Sequence, residues 1–377
     1  MSSIGTETPA QPAATEISGA PGAAPGGSTG RRMLRLPQQT LARNLLLALA
    51  FGVILYLLSE SLSSFNNLRL ATIAYYFTAL AGLTVLTGLN GQISLGHGAL
   101  MAVGAYATAI LVGRTGFPLG AALAAAAAIT AVVGVVVGAA ASRLRGPYLA
   151  GATLAFAIGL PGLADKYPSA FGGENGLTVA PPTPPSALGA TFPLERWEAW
   201  IACLCALIVF VLLSNLLRSR VGRAFRAVRD DEVAAQLAGL NVARVQVLAF
   251  VVSAACAGLA GGALVVVTQL AAPGAFDLSL SLALLTGIVL GGLGSLAGAV
   301  WGALALVYLP QWSDDIAHSL SLSNNVQSNL PLALYGIVLM VVIVAAPRGI
   351  QGALHGLFGV ARTRLRKNPS TPTEEGA

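Results

Sequence analysis

The feature that most constrains this chain is a series of apolar runs, each roughly the length of one membrane crossing, separated by short polar interruptions. A helix needs about 20 apolar residues to cross roughly 30 Å of hydrocarbon, and somewhat fewer where its ends snorkel. Such runs occupy 44–59, 68–89, 91–112, 117–141, 147–165, 197–217, 245–269 and 331–346, with a longer apolar stretch over 275–309. Only 10% of the residues are charged, against about 25% in a soluble domain. Most of the chain therefore has no aqueous face to decorate. The predicted fold class is all-α, a polytopic membrane bundle, and the 377 residues form one membrane domain instead of two or three soluble ones.

The distribution of charge sets the direction of the spans. Cytoplasmic loops collect Lys and Arg, and here the basic residues flank apolar runs instead of lining a patch. The net charge of +6 thus reports topology and not nucleic-acid binding. Arg31, Arg32, Arg35 and Arg43 precede the first run, and no small-residue cleavage site follows before Glu60, so that run is an uncleaved first span. With the N-terminus inside, Arg143 and Arg145 are inside after four spans, and the arginines of 218–244 are inside after six. Arg348, Arg362, Arg364, Arg366 and Lys367 belong inside as well. That requires the 275–309 stretch to split near 292–295 into two short helices. About ten spans result, with both termini cytoplasmic, and only Arg69, Arg114, Lys166 and Arg196 of the 21 basic residues lie outside. Residues 1–43 are read as a disordered cytoplasmic tail, because 1–30 are too poor in large apolar side chains to offset ordering entropy. The membrane domain is then 44–346, and 347–377 is a basic tail.

Small residues recur at a spacing of four in Gly134 and Gly138, Gly258 and Gly262, and Gly294, Gly298 and Gly302. In lipid this spacing lets helix backbones approach closely. Cys203, Cys205 and Cys256 lie inside apolar runs without CxxC spacing and read as small packing residues.

Four segments break the apolar pattern. In 88–98 four glycines and Asn90, Gln92, Ser94 and His97 interrupt the boundary between two spans. Irregular backbone at membrane depth is tolerated only where protein or a water-filled cavity surrounds it, and Gly-interrupted spans mark substrate paths. Asn90, Gln92, Ser94, Gly96, His97 and Gly98 are the pathway candidates. A plain turn at Asn90 and a plain hydrogen bond from His97 to a neighbouring helix are the alternative readings. In 144–157, Pro147 suits a first helical turn, Thr153 joins the pathway set, and Pro161 beyond it should kink or end the helix. In the outside loop 171–177, Gly173, Glu174 and Asn175 offer turns and polar contacts, for an external partner or a gate. The loop 218–244 carries an apolar stripe of Val221, Phe225 and Val228. Asp230 is placed to cap a second helix with Asp231 and Glu232 in its first turn, Val233, Leu237 and Leu240 continue an apolar face, and Gly239 ends it. Two short amphipathic helices suit docking into a groove on a partner. The other reading is a helix on the lipid surface, against which the acidic triplet argues.

Together these segments resemble the M-type membrane subunit of the branched-chain amino-acid ABC transporter permease family. The similar patterns are GLNGQISLGHGALMAVGAYATAIL (88–111), RGPYLAGATLAFA (145–157), GGENGLT (172–178), GRAFRAVRDDEVAAQLAGLNV (222–242) and GGLGSLAGAVWGA (291–303), in that order. The resemblance covers about 45–346. It implies an importer in a bacterial inner membrane, with a second permease subunit, two cytoplasmic ATPases that use ATP and Mg, and an extracytoplasmic solute-binding protein. It implies no cofactor or metal on this chain. It assigns the coupling to the ATPases to Gly222, Arg223, Arg226, Asp230, Asp231, Glu232, Ala235 and Gly239, and an external contact to Gly173, Glu174 and Asn175. A Walker A motif needs Gly-Lys followed by Ser or Thr; Lys166 and Lys367 both lack that context, so ATP has to be hydrolysed by a partner.

Three other classes remain as alternatives. A urea or short-amide importer permease would look similar. An ATP-independent solute channel needs no coupling group, whereas a secondary transporter would need an intramembrane acid, and no acidic residue falls at mid-span. A membrane enzyme is disfavoured because His97, His318 and His355 are scattered and neither H-E-x-x-H nor G-x-S-x-G occurs.

Overall fold

The computed structural model describes residues 37–144, 147–189 and 191–319, together with isolated positions between 330 and 354. Residues 1–36, most of the expected 331–346 span and most of the C-terminal tail lie outside the described residues. Residues 37–43, expected in the tail, already belong to the first helix.

Helix α1 (Pro37–Ser61) is followed by α2 (Ser64–Leu83), which a π-helical turn extends to Leu89. Then come α3 (His97–Thr115), α4 (Leu119–Ala141) and α5 (Pro147–Lys166). A short α6 (Pro168–Phe171) and strand β1 (Leu177–Thr178) lead to α7 (Leu194–Arg218). Two short helices, α8 (Arg220–Asp230) and α9 (Glu232–Leu237), precede α10 (Val242–Thr268). Strand β2 (Leu270–Ala271), α11 (Leu278–Gly291) and α12 (Leu296–Ser319) follow. Among the described residues, eight helical stretches are long and apolar enough to cross a membrane, the last being Pro273–Gly291. The all-α polytopic expectation holds.

The bundle is built around α2 and α10, which are buried along most of their length, while α1, α4 and α5 expose most of theirs. Glycine spacing explains why α10 takes the centre. A Cβ on Gly261 would fall on the Met101 backbone, and one on Gly104 would fall on the Gly258 carbonyl, so α3 and α10 meet backbone to backbone. On the opposite face, a Cβ on Gly134 would come within 2.5 Å of the Ala254 Cβ, and one on Gly138 within 2.8 Å of the Phe250 Cβ. Between helices in lipid the attraction is packing, so such approach distances decide which helices pair.

The expected split of 275–309 is present. Gly292 (φ 120) and Gly294 (φ 82) take conformations that L side chains rarely adopt and end α11 before α12 starts. Gly294 is therefore a loop residue and not part of a helical stripe. The second half is longer than expected, since α12 runs to Ser319. Helix α5 also continues through Pro161 instead of ending there; a membrane helix tolerates the lost N–H when local geometry adjusts around it.

Loop contacts sort onto two ends of the bundle, as the parity of crossings requires. At one end Arg229 donates to the Gly88 carbonyl, and a Cβ on Gly294 would come within 3.3 Å of that same carbonyl. At the other, Arg196 donates to the Glu60 carbonyl (3.2 Å), Arg114 to Ser169 (2.8 Å), and β1 pairs antiparallel with β2. The first end carries the loops read as cytoplasmic, the second the loops read as external.

Two helix pairs share a design and run in opposite directions. Helix α2 reaches the inner end and re-enters as irregular backbone before α3. Helix α10 reaches the outer end and passes through β2 and a 3-10 turn (Pro273–Phe276) before α11. The starts of α3 and α11 touch: the Gly98 N–H donates to the Ser281 Oγ at 3.0 Å.

Candidate functional site

The first interruption begins where α2 widens into a π-helical turn, Thr84–Leu89, a geometry that recurs at functional sites. Gly91 (φ 74) turns the chain, and 91–96 climb back into the bundle. His97, the first residue of α3, sets the depth. Its Nε2 lies 2.9 Å from the Ala79 carbonyl, ten residues before Leu89 and so about 15 Å along α2.

Side chains from other helices satisfy the re-entrant backbone. The Leu95 N–H donates to the Thr153 Oγ1 of α5 at 3.0 Å, and Gly98 to Ser281 of α11. The first N–H groups of a helix have no partner within it; α11 supplies one for Gly98 in the first turn of α3, and α5 holds the Leu95 N–H just before the helix. Gly96 and Gly98 are required by closeness: a Cβ on Gly96 would sit 2.9 Å from the Thr153 carbonyl, and one on Gly98 would sit 2.7 Å from the Ser281 Oγ. Ser94, Gly96, His97, Gly98 and Thr153 thus meet in one buried knot. Ser281 belongs to it and sequence reasoning missed it, because a serine in an apolar run carries no positional signal.

Asn90 and Gln92 lie elsewhere. They line a cavity of about 540 Å³ at the inner end with Leu149, Arg229, Asp231, Glu232 and Gln246. Both amide atoms of Asn90 and the Oε1 of Gln92 are buried without a hydrogen-bond partner. The single pathway set read from the sequence is therefore two places, a knot at depth and an inner mouth.

The mouth is roofed by α8 and α9. Phe225 and Val228 are buried as the stripe predicts, and Gly222 packs against the Leu216 and Leu217 carbonyls. Three details differ from expectation. Asp231, and not Asp230, caps α9: its backbone is extended and its Oδ1 accepts from Val233 and Ala234 at 2.8 and 3.0 Å. Ala235 is the buried residue of α9, while Val233 and Leu237 stand 66% and 86% exposed, so the apolar face points away from the bundle. The third is Arg229, absent from the residues singled out for this loop. Its Nη1 donates to the Gly88 carbonyl at 2.6 Å, and its Cγ would lie 2.9 Å from a Cβ on Gly91. A cation bonded to a carbonyl at a helix C-terminus is favoured by the dipole as well. Arg223 and Arg226 are exposed, and Gly239 (φ 83) ends the turn after α9.

At the outer end, Gly173 is buried while Glu174 and Asn175 are exposed. Gly176 (φ 70) leaves no room for a side chain against Ala271 and Ala272. Gln269 (φ 57) ends α10 in the left-handed region, and its side chain donates to the Glu198 Oε1 at 3.1 Å. Glu198 is 2% exposed. The sequence placed it near a span end, but only the fold shows that it is buried. A buried acid in a membrane helix is costly and is found paired.

The family model described as "Branched-chain amino acid transport system / permease component" matches residues 64–347. The chain is 30% identical over 266 residues to the high-affinity branched-chain amino acid transport system permease protein LivM of Salmonella typhimurium and to that of Escherichia coli K12, a match covering 64% of this chain and 62% of each relative. It is 34% identical over 170 residues to LivH of E. coli K12, covering 44% of this chain and 49% of that protein. The chain thus spans less than two thirds of the length of these relatives. No solved structure matches.

Proposed function

Because the chain belongs to the family of branched-chain amino acid transport system permease components, we propose that it forms half of the translocation pathway of an ATP-driven importer of branched-chain amino acids. The eight candidate spans among its described residues, and its family, make it a multi-pass protein of a bacterial inner membrane. The other half of the pathway is a second permease subunit, in keeping with relatives of both the LivM and the LivH kind. Two cytoplasmic ATPases that use ATP and Mg, and an external solute-binding protein, complete the proposed assembly.

The observation that carries this reading is the seating of α8 on the inner interruption through Arg229. Val233 and Leu237 are left uncovered by the chain, an apolar face for a partner, while the partly exposed Arg229 bonds the Gly88 carbonyl at the end of α2. Force applied to the outer face of α8–α9 by an ATPase would move Gly88, Asn90 and the re-entrant backbone with it. In this scheme the path alternates between an outside-open and an inside-open form, with the knot as the point of narrowing. The first turn of α3 meets α11 there through Ser281, while the start of α11 is capped by its own Asp277; the N-terminus of α3 is the end that favours a carboxylate. Among the described residues no Asp, Glu, Lys or Arg contributes to the knot, which suits a zwitterion with an apolar side chain.

The test is co-purification from gently solubilised membranes, comparing wild type with an Arg226→Glu, Glu232→Arg loop variant. The reading expects two ATPases and a second permease with wild type and loss of the ATPases with the variant. A chain that purifies alone in both, and passes solute in liposomes free of ATPase, would instead be a channel.

A further inference from the structure

We propose that a groove among α1, α2 and α7 is a built site for one phospholipid of the outer leaflet, holding an acyl chain along α7 and the headgroup phosphate at Arg196. The groove has a volume of about 320 Å³ and an almost wholly apolar lining that includes Phe51, Leu70, Phe77, Cys203, Leu207 and Phe210. A smaller hollow of about 180 Å³ continues it toward Trp200 and shares Leu55, Leu70, Cys203 and Leu207.

The stretch of α7 just beyond the groove identifies the occupant, since Arg196 stands one turn past Trp200, the outermost α7 residue of the hollow. Arg196, Trp200, Cys203, Leu207 and Phe210 stand at i, i+4, i+7, i+11 and i+14, one face of α7. That face extends for about 21 Å, from headgroup level past the middle of a bilayer. At its outer end Trp200 stacks near Tyr56 and Phe192, with ring centroids 5.2 and 5.1 Å apart, as aromatic side chains do at a membrane interface. The Arg196 guanidinium has five N–H donors and gives the protein one hydrogen bond, Nη2 to the Glu60 carbonyl at 3.2 Å. Its Nε is buried with no partner. The buried Nε is closed to a lipid, so a phosphate is met by the guanidinium charge at its open Nη side, and the exposed Glu60 beside it matches an ammonium. The headgroup chemistry that fits both is phosphate followed by a primary amine.

Tail burial cannot select this lipid, because bulk acyl chains are as apolar as the groove. The groove fixes position, and the charge-assisted contact at Arg196 gives retention. Purify the full chain with its accompanying subunits in a mild detergent and count retained phospholipid by mass spectrometry. Wild type is expected to keep phosphatidylethanolamine, Arg196→Gln to lower its retention about tenfold, and Arg196→Lys to restore part of it. Leu204→Trp, at a 58% exposed position on the rim, blocks the tail while leaving the headgroup contact and the core untouched. Equal retention by wild type, Arg196→Gln and Leu204→Trp would overturn the proposal. So would equal retention of phosphatidylglycerol, or a photoreactive group at Leu204 that captures an accompanying subunit in place of lipid.

Discussion

The two interruptions of the bundle are alike in outline and different in finish. The outer one, between α10 and α11, is closed: β2 is paired to β1, Gln269 is held by Glu198, and Tyr106 of α3 packs on Phe171 and Phe276 at centroid distances of 5.2 and 6.4 Å. The inner one, between α2 and α3, is open at its mouth. The Asn90 amide is unpartnered, and the backbone at Gly88 is held by Arg229 from a separate loop. The difference is one of degree: the outer end leaves the Tyr106 hydroxyl without a partner, whereas the inner end leaves both Asn90 amide atoms and the Gln92 Oε1 so beside a cavity. In the proposed scheme the outer end would act as a latch, and the inner end as a mouth that the α8–α9 loop controls.

Breaking the latch has the largest expected effect. Gly176→Val combines a left-handed backbone with collision against Ala271, and the two penalties together come to about 3 kcal/mol or more. The thermal midpoint of the purified protein should fall by several degrees, and a wild-type midpoint would show that the sheet is not a fixed element. Glu198→Ala should cost about 1–3 kcal/mol by leaving the Gln269 amide without its acceptor. It should also open residues 269–277 to modification of a cysteine placed at Ala272. Unchanged labelling there would mean that Gln269 holds its conformation without Glu198.

Asn90→Leu sharpens the contrast from the other side. Removing a buried unpaired amide should leave stability unchanged or raise it by about 1 kcal/mol, while leucine uptake falls. A variant both destabilised and fully active would mean that the Asn90 amide is satisfied in the resting state and plays no part in passage.

Much of this was legible in the sequence, and the misses have physical causes. The break at 292–295 follows from charge parity, because five basic residues after the last span have to end inside. The interruption at Ser94, Gly96, His97 and Gly98 was readable, but not its packing: His97 makes the plain hydrogen bond to a neighbouring helix that was its alternative reading. Ser281 and Glu198 were not readable, because their importance is contact with residues 183 and 71 positions away. Arg229 was hidden among six arginines in one loop: its partner is a carbonyl 141 positions earlier, and a carbonyl leaves no mark on sequence. The cap at Asp231 was missed by one residue, as two adjacent acids are equivalent until α8 is seen to end at Asp230.

The central claim is that Arg229 carries motion from the loop to the inner interruption. It is tested most directly by measuring leucine uptake and ATP hydrolysis together in proteoliposomes, for the complete assembly with wild type, Arg229→Ala or Arg229→Lys. Loss of one charged hydrogen bond should lower uptake about tenfold in Arg229→Ala, with ATP hydrolysis within about twofold of wild type and partial recovery in Arg229→Lys. If uptake and hydrolysis stay in their wild-type ratio in Arg229→Ala, the loop acts on the pathway by another route and the account fails.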